Sequence, residues 1–280
     1  MINVVSFSGG RTSAYLVYLM EQRRKKGEDV RYIFMDTGAE HPKTYEFIRN
    51  LVRCWKIDLV CLRVVINPEL GKGNGYQILT LDEIKHDLEP WRAMLKKYGT
   101  PYVGGEFCTD RMKLVPFKKY CDEHIGKKSY HTWIGIRTDE PRRIKCLDHT
   151  SYLANISDID KYGIIDWWSQ QPFDLQIHEH LGNCCFCIKK SIQKIALAAK
   201  DEPELAAEFL TILSSNEVRK MENRNGTDLV MYRGKNTFDG IIQMFSDDSR
   251  AKLAARMPSQ KQYINAAMYE TQCECQLSLF

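Results

Sequence analysis

Apolar positions along the chain switch between strand-like runs and helix-like spacing. Ile2 to Val5 is a short apolar run, after which Tyr15, Leu16, Leu19 and Met20 recur at helical spacing. Val30 to Met35 reads as a second strand, residues 42–55 as a second helix, and about Leu59 to Ile66 as a third strand. Asn67 to Tyr76 breaks the pattern: three glycines fall in five residues, with Lys72 between them. That stretch reads either as a flexible connection or as a lid over a substrate. Leu81 to Tyr98 looks helical but interrupted at Pro90, and Tyr130 to Ile136 reads as a further strand. Trp167, Trp168 and Phe173 read as core aromatics. From Ile192 to Glu222 the spacing is helical, with Leu205, Ala206, Phe209 and Leu210 as its apolar stripe. Alternating strands and helices predict an α/β fold.

The first strand-to-helix junction carries the clearest chemistry. Ser6, Ser8, Gly9, Gly10, Arg11, Thr12 and Ser13 crowd hydroxyls, a cation and two glycines onto one turn. Glycines let the backbone curl so that its N–H groups converge, and the helix N-terminus adds roughly half a positive charge. An ordinary serine-capped turn needs none of this crowding, so the stretch reads as a phosphate cradle. The second strand ends in Asp36, Thr37 and Gly38, and ligands of parallel sheets sit beyond the strands' carboxyl ends. Both turns are therefore expected to face one site. After the strand ending at Ile136 come Arg137 and Arg143, whose guanidinium groups suit phosphate or sulfate oxygens.

Ser8-Gly9-Gly10-Arg11-Thr12-Ser13 resembles the S-G-G-x-D-S loop of the N-type ATP pyrophosphatases, in the branch of the phosphoadenylyl-sulfate (PAPS) reductase-like proteins. Thr12 stands where that family usually has aspartate. The stretch from Phe34 to Gly38, followed by Pro42, Thr44 and Glu46, is similar to the family's second motif, which lies near the adenosine. Gly135, Arg137, Glu140 and Arg143 match its G-[IL]-R-x-x-E-x-x-R element. Cys108, Lys113 and Pro116 resemble part of the C-C-x-x-R-K-x-x-P element of adenylyl-sulfate reductases, with Thr109 in place of the second cysteine. Arg111 and Lys113 are then candidates to hold an anion. The resemblance implies a parallel five-stranded sheet of the adenine nucleotide α-hydrolase kind with helices on both faces, over residues 1–182. Residues 183–280 would form a helical, cysteine-bearing region packed on it.

Ten cysteines are many for 280 residues. Cys184 and Cys187 form a C-x-x-C, a spacing that brings two sulfurs to one ion or cluster. Cys273 and Cys275 supply a second pair, so the expected ligand set is Cys184, Cys187, Cys273 and Cys275, with Cys185, Cys146 and Cys108 as substitutes. Spacing does not choose between zinc and a 4Fe-4S cluster. Relatives such as the DNA phosphorothioation enzyme DndC, and thiouridine-forming tRNA enzymes, pair the nucleotide loop with cluster cysteines. Glu274-Cys275-Gln276-Leu277 also echoes the E-C-G-L-H tail of PAPS reductases. Cys54, Cys61 and Cys121 are expected to be inert.

A net charge of +4, with 44% hydrophobic and 27% charged residues, is ordinary for a globular protein and does not by itself indicate nucleic acid. No run approaches the roughly 20 apolar residues that span a bilayer, and a cytoplasmic location without membrane attachment is expected. The resemblance implies an adenine nucleotide as ligand, ATP with Mg²⁺ or else PAPS or its adenylyl analogue APS. It also implies an acceptor that could be a nucleic acid, and a sulfur donor protein or thioredoxin as partner. Three functions follow from it: ATP cleavage at the α-phosphate for sulfur transfer, reduction of a sulfonucleotide by Cys275 or Cys108, or nucleotide sensing without catalysis.

Overall fold

The structure is a computed structural model that describes residues 1–232 and 236–256. Its elements run β1 (Ile2–Phe7), α1 (Arg11–Arg24), β2 (Val30–Asp36), α2 (Pro42–Trp55), β3 (Leu59–Val65), β4 (Gly75–Leu79) and α3 (Glu89–Tyr98). A helical run follows, made of α4 (Phe107–Thr109), a π-helical turn (Asp110–Leu114) and α5 (Val115–His124). Then come β5 (Tyr130–Ile134), β6 (Thr150–Tyr152), α6 (Lys161–Ser169), α7 (Ile192–Asp201), α8 (Pro203–Leu213), α9 (Phe238–Met244) and α10 (Arg250–Ala255).

The described strands form one sheet in the order β4-β3-β2-β1-β5-β6. It has six strands rather than the five expected, and β4 runs antiparallel to β3. The added strand takes in the end of the stretch read as a flexible connection or a lid. Gly75 and Tyr76 belong to a hairpin, and the buried Lys97 ammonium ties its tip by donating to the Lys72 carbonyl at 2.8 Å and to Asn74 Oδ1 at 3.3 Å. Pro90 is likewise not an interruption. Leu88 takes a left-handed φ of 55°, α3 begins after it, and Pro90 sits in the first turn, where a missing N–H costs nothing.

Strand periodicity sorts the core. Val5, Phe7, Tyr32 and Phe34 point to one face, against α1, α2, α3 and the cysteine-bearing region. Val4, Ile33, Met35 and Leu62 point to the other, against Phe117, Tyr120 and Cys121 of α5. The first core also contains Phe186, Leu197 and Phe209, so it continues without a break past residue 182.

The chain goes outward from β1 through β2 and β3, then returns to β5 on β1's other side. β1 therefore stands at the point where the strand order reverses. In open parallel sheets the crevice for ligands lies there, beyond the carboxyl ends.

Candidate active site

β1 delivers its chain to that crevice at Ser8. Gly9 has a φ of +81°, and a Cβ there would lie 2.9 Å from Thr44 Cγ2 on α2. Only glycine meets both conditions. Gly10 then begins α1 in an extended conformation and offers no side-chain cap. The turn is closed by hydroxyls: Ser13 Oγ lies 2.8 Å from Ser8 Oγ, accepts from the Ser8 N–H at 3.2 Å and donates to the Gly10 carbonyl at 3.0 Å. Ser6, Thr12 and Ser13 are buried, and Ser8 and Gly10 are half-buried at the mouth.

Arg11 takes a different place from the one expected. Its guanidinium is buried and grips Asp174 bidentately, at 2.6 Å on each side, and also donates to the Leu175 carbonyl. Trp168 Nε1 donates to the Arg11 carbonyl at 3.0 Å. Arg11 thus braces the turn from behind, and the turn itself presents backbone N–H groups and hydroxyls.

The cation at the front comes from the other side of β1. Gly135, just beyond β5, passes so close to α1 that a Cβ would lie 2.9 Å from Ser13 Cα and 3.1 Å from Ser13 N. That approach lets Arg137 Nη1 donate to Thr12 Oγ1 at 3.1 Å. Asp139 fixes the same guanidinium at 2.8 and 3.2 Å, and Glu140 lies 3.7 Å away and also pairs with Arg143.

Asp36 and Arg63 are direct partners across β2 and β3, which puts the guanidinium on the carboxylate at 2.6 and 3.0 Å. Asp36 also accepts from the Gly38 N–H at 2.9 Å. Burial, and next the charge of Glu40, push the Asp36 carboxyl up to about 6, against the pull of Arg63. Tyr45 hydroxyl lies 2.9 Å from Asp36 Oδ1 and 3.0 Å from Glu40 Oε2, one proton between two carboxyls.

Glu40, which lies between the two parts of the second motif and carried no role in the sequence reading, is the hub of this region. Its buried carboxylate accepts from Thr37 Oγ1 at 2.8 Å and the Thr37 N–H at 3.3 Å, and Lys113 Nζ stands 3.8 Å from it. The Cys184 thiol reaches it at 3.9 Å and lies 3.5 Å from Thr37 Oγ1. The cysteine turn is docked on the second motif by a β-bridge between Glu40 and Cys184 and by the Cys185 N–H donating to the Ala39 carbonyl at 3.0 Å. Lys190 Nζ holds the turn by donating to the carbonyls of His180, Cys184 and Cys185 at 2.7–3.0 Å.

Cys108, Cys184 and Cys187 line one small cavity together with Thr37, Trp91 and Lys113. Lys113 turns inward from the π-helical turn, whereas Arg111 is exposed and lies over the Tyr98 ring. Burial pushes the Cys185 thiol up to about 12, and Cys61 and Cys121 likewise, which suits packing rather than reaction. Cys273 and Cys275 lie outside the described residues.

Among the described residues no group of three or more His, Cys, Asp and Glu side chains is arranged to hold a metal ion. The cavity between the thiols measures about 20 Å³. That is room for about one water between the thiols as packed. Nor does the second motif offer a vacant carboxylate for Mg²⁺, because Asp36 is held by Arg63; Thr12 contributes a neutral hydroxyl. No described helix is long and apolar enough to cross a membrane.

Comparison with known families matches residues 2–174 to the phosphoadenosine phosphosulfate reductase domain. Among individual proteins, the chain is 54% identical over 277 residues to the uncharacterized nin region protein ORF290 of Escherichia phage lambda, covering 98% of this chain and 95% of that one. It is 28% identical over 137 residues to the uncharacterized protein MJ0066 of Methanocaldococcus jannaschii, covering 49% of this chain but 23% of that one. A second protein of that archaeon, MJ0973, is 27% identical over 163 residues, covering 58% and 32%.

Proposed function

This chain belongs to the phosphoadenosine phosphosulfate reductase domain family, and from that membership we propose an enzyme that cleaves ATP at the α-phosphate and adenylates an acceptor for sulfur transfer. One observation carries the reading: Arg137 reaches from beyond β5 to Thr12 on the turn after β1, closing a cradle around the reversal point of the sheet. The N–H groups at the start of α1, with Ser8, Thr12 and Ser13, bind the phosphates. An acceptor oxygen attacks the α-phosphorus, the bond to the bridging oxygen breaks, and pyrophosphate leaves with that oxygen and its electron pair. Arg137 stabilises the charge that develops, and Arg143 supports it through Glu140. Asp36, locked by Arg63, fixes the turn beside the nucleoside. A sulfur nucleophile then displaces AMP from the acceptor.

Radiolabelled ATP incubated with the chain and candidate acceptors, tRNA or DNA among them, should yield AMP and pyrophosphate in equal amounts. Arg137→Ala should reduce that yield by about 100-fold. Release of ADP, or no binding of ATP at all, would refute the reading. A second reading, reduction of PAPS by a thiol, draws support from the contact of Cys184 Sγ with Thr37 of the nucleotide motif. It predicts sulfite release from PAPS with thioredoxin and no requirement for ATP.

A further inference from the structure

Cys184 and Cys187 are brought together by a closed turn as well as by their spacing. The Cys187 N–H donates to the Cys184 carbonyl at 3.1 Å. A four-residue turn closed in this way keeps its first and last Cα atoms within about 7 Å, and a disulfide needs them about 4.4–6.8 Å apart. Both residues line the same cavity of about 20 Å³. The Tyr232 hydroxyl, which donates to the Phe186 carbonyl at 2.9 Å, is pushed well up by burial and then by the Cys187 and Cys184 sulfurs, so both sulfurs stand near one phenol. Cys185, between them, does not line that cavity. Cys108 lines it from α4, where its thiol donates to the Glu106 carbonyl at 3.8 Å.

What this pair touches gives its oxidation state a consequence. Cys184 Sγ lies 3.5 Å from Thr37 Oγ1 and reaches the Glu40 carboxylate at 3.9 Å. The same carboxylate orders the second motif by accepting from the Thr37 N–H and hydroxyl. A disulfide has no proton to donate, and its formation turns the Cys184 sulfur towards Cys187. Glu40 then loses a donor, and the turn from Thr37 to Glu40 loses one of its ties to the cysteine turn.

We propose that Cys184 and Cys187 form a reversible dithiol–disulfide pair whose oxidised form loosens the Thr37–Glu40 turn. The oxidant is a small-molecule disulfide. One cysteine thiolate attacks it, forms a mixed disulfide and releases one thiolate; the other cysteine thiolate then attacks the protein sulfur and releases the second. The two cysteines give up two protons and two electrons in all, and the oxidant leaves as two thiols. A dithiol reverses the exchange. The pair acts on the turn and not on a substrate, so the inference does not depend on what the cradle binds.

The test begins with the reduced full chain, incubated with glutathione disulfide and then alkylated with iodoacetamide. Peptide mass spectrometry should find Cys184 and Cys187 joined, with Cys108 and Cys185 left as alkylated thiols. Hydrogen–deuterium exchange of the peptide spanning residues 36–41 should be about threefold faster in the oxidised chain, the worth of one weak hydrogen bond. Dithiothreitol should restore both. Cys187→Ser should abolish the bond and the change in exchange, whereas Cys108→Ser should keep them. Should Cys187→Ser fail to fold, as judged by circular dichroism, the mapped bond and Cys108→Ser decide. A chain that gains only mixed disulfides, a bond to Cys108 or Cys185, or an oxidised chain with unchanged exchange would each overturn the proposal. Titration of the reduced chain with ATP tests the nucleotide reading separately: absence of binding refutes that reading and leaves the disulfide and exchange results standing.

Discussion

Replacing Gly135 by alanine should damage both stability and nucleotide binding, through one contact. The new Cβ would stand 2.9 Å from Ser13 Cα and 3.1 Å from Ser13 N. Carbon atoms pack at about 3.5–4.0 Å, so the two backbones must part by about 0.6 Å or more. Neither side yields easily. Ser13 is bonded to Ser8 and Gly10, and the strand before Gly135 is paired with both β1 and β6. Overpacking of this kind costs about 1–3 kcal/mol. The same displacement carries Arg137, two residues on, from its 3.1 Å bond with Thr12 to a separation beyond hydrogen-bonding range. Losing a charged hydrogen bond from the cradle is worth about 1.5–3 kcal/mol, or about 10- to 100-fold in ATP affinity. Urea unfolding gives the first quantity and calorimetric titration with ATP the second. Gly73→Ala is the control, since a Cβ there meets nothing within 4 Å. Gly135→Ala with unchanged stability would refute the close approach. Lost stability with unchanged ATP affinity would refute the link from Gly135 through Arg137 to the cradle.

The Asp36 carboxyl, raised from 3.8 to about 6, holds a proton in the folded chain that the unfolded chain lacks between those values. Its contribution is therefore fully present below the unfolded value and lost as pH rises through about 6, by about 3 kcal/mol; Asp36→Asn should remove that part of the slope in urea midpoints measured from pH 4 to 7. Asp174→Asn leaves the buried Arg11 guanidinium without its bidentate partner and should cost about 2 kcal/mol by the same unfolding assay, with an unchanged midpoint counting against the brace. Glu40→Gln removes the negative charge beside the Cys184 thiol and frees Lys113 to attract the thiolate. Alkylation of Cys184 by iodoacetamide, followed by peptide mass spectrometry, should then quicken about tenfold at neutral pH, and a slower rate would contradict the proposed contact.

Much of the site could be read from local sequence because its determinants are local. The turn after β1 needs glycine where φ is positive and hydroxyls within five residues, and both needs appear as a contiguous motif. Arg137 was legible for the same reason, since it directly follows an apolar strand. What escaped depends on distance along the chain. Arg11 is a cation on a phosphate-like turn, and nothing nearby shows that its counter-ion lies 163 residues away. Arg63 sits inside an apolar run, where only the β2–β3 register reveals that it faces Asp36. Glu40 stood within a motif already singled out, yet its role arises from Cys184, 144 residues later. β4 was hidden by the glycines at and before its start: Gly71 and Gly73 stay in the loop, and Gly75 reads as loop until it pairs with Val65 of β3.

The Arg11–Asp174 grip also bears on how such a protein can be divided or inherited. The turn proposed to hold the nucleotide phosphates is braced by Trp168, Asp174 and Leu175, at the far end of the region matched to the family. A fragment ending before Trp168 would keep every residue of the nucleotide motifs and lose the strut that shapes the first of them. Ten residues after Asp174, Cys184 is bridged to Glu40. Exchange of one half of this chain for another, by recombination or by design, therefore succeeds only if the breakpoint spares the seam from 168 to 185 together with the two turns it supports.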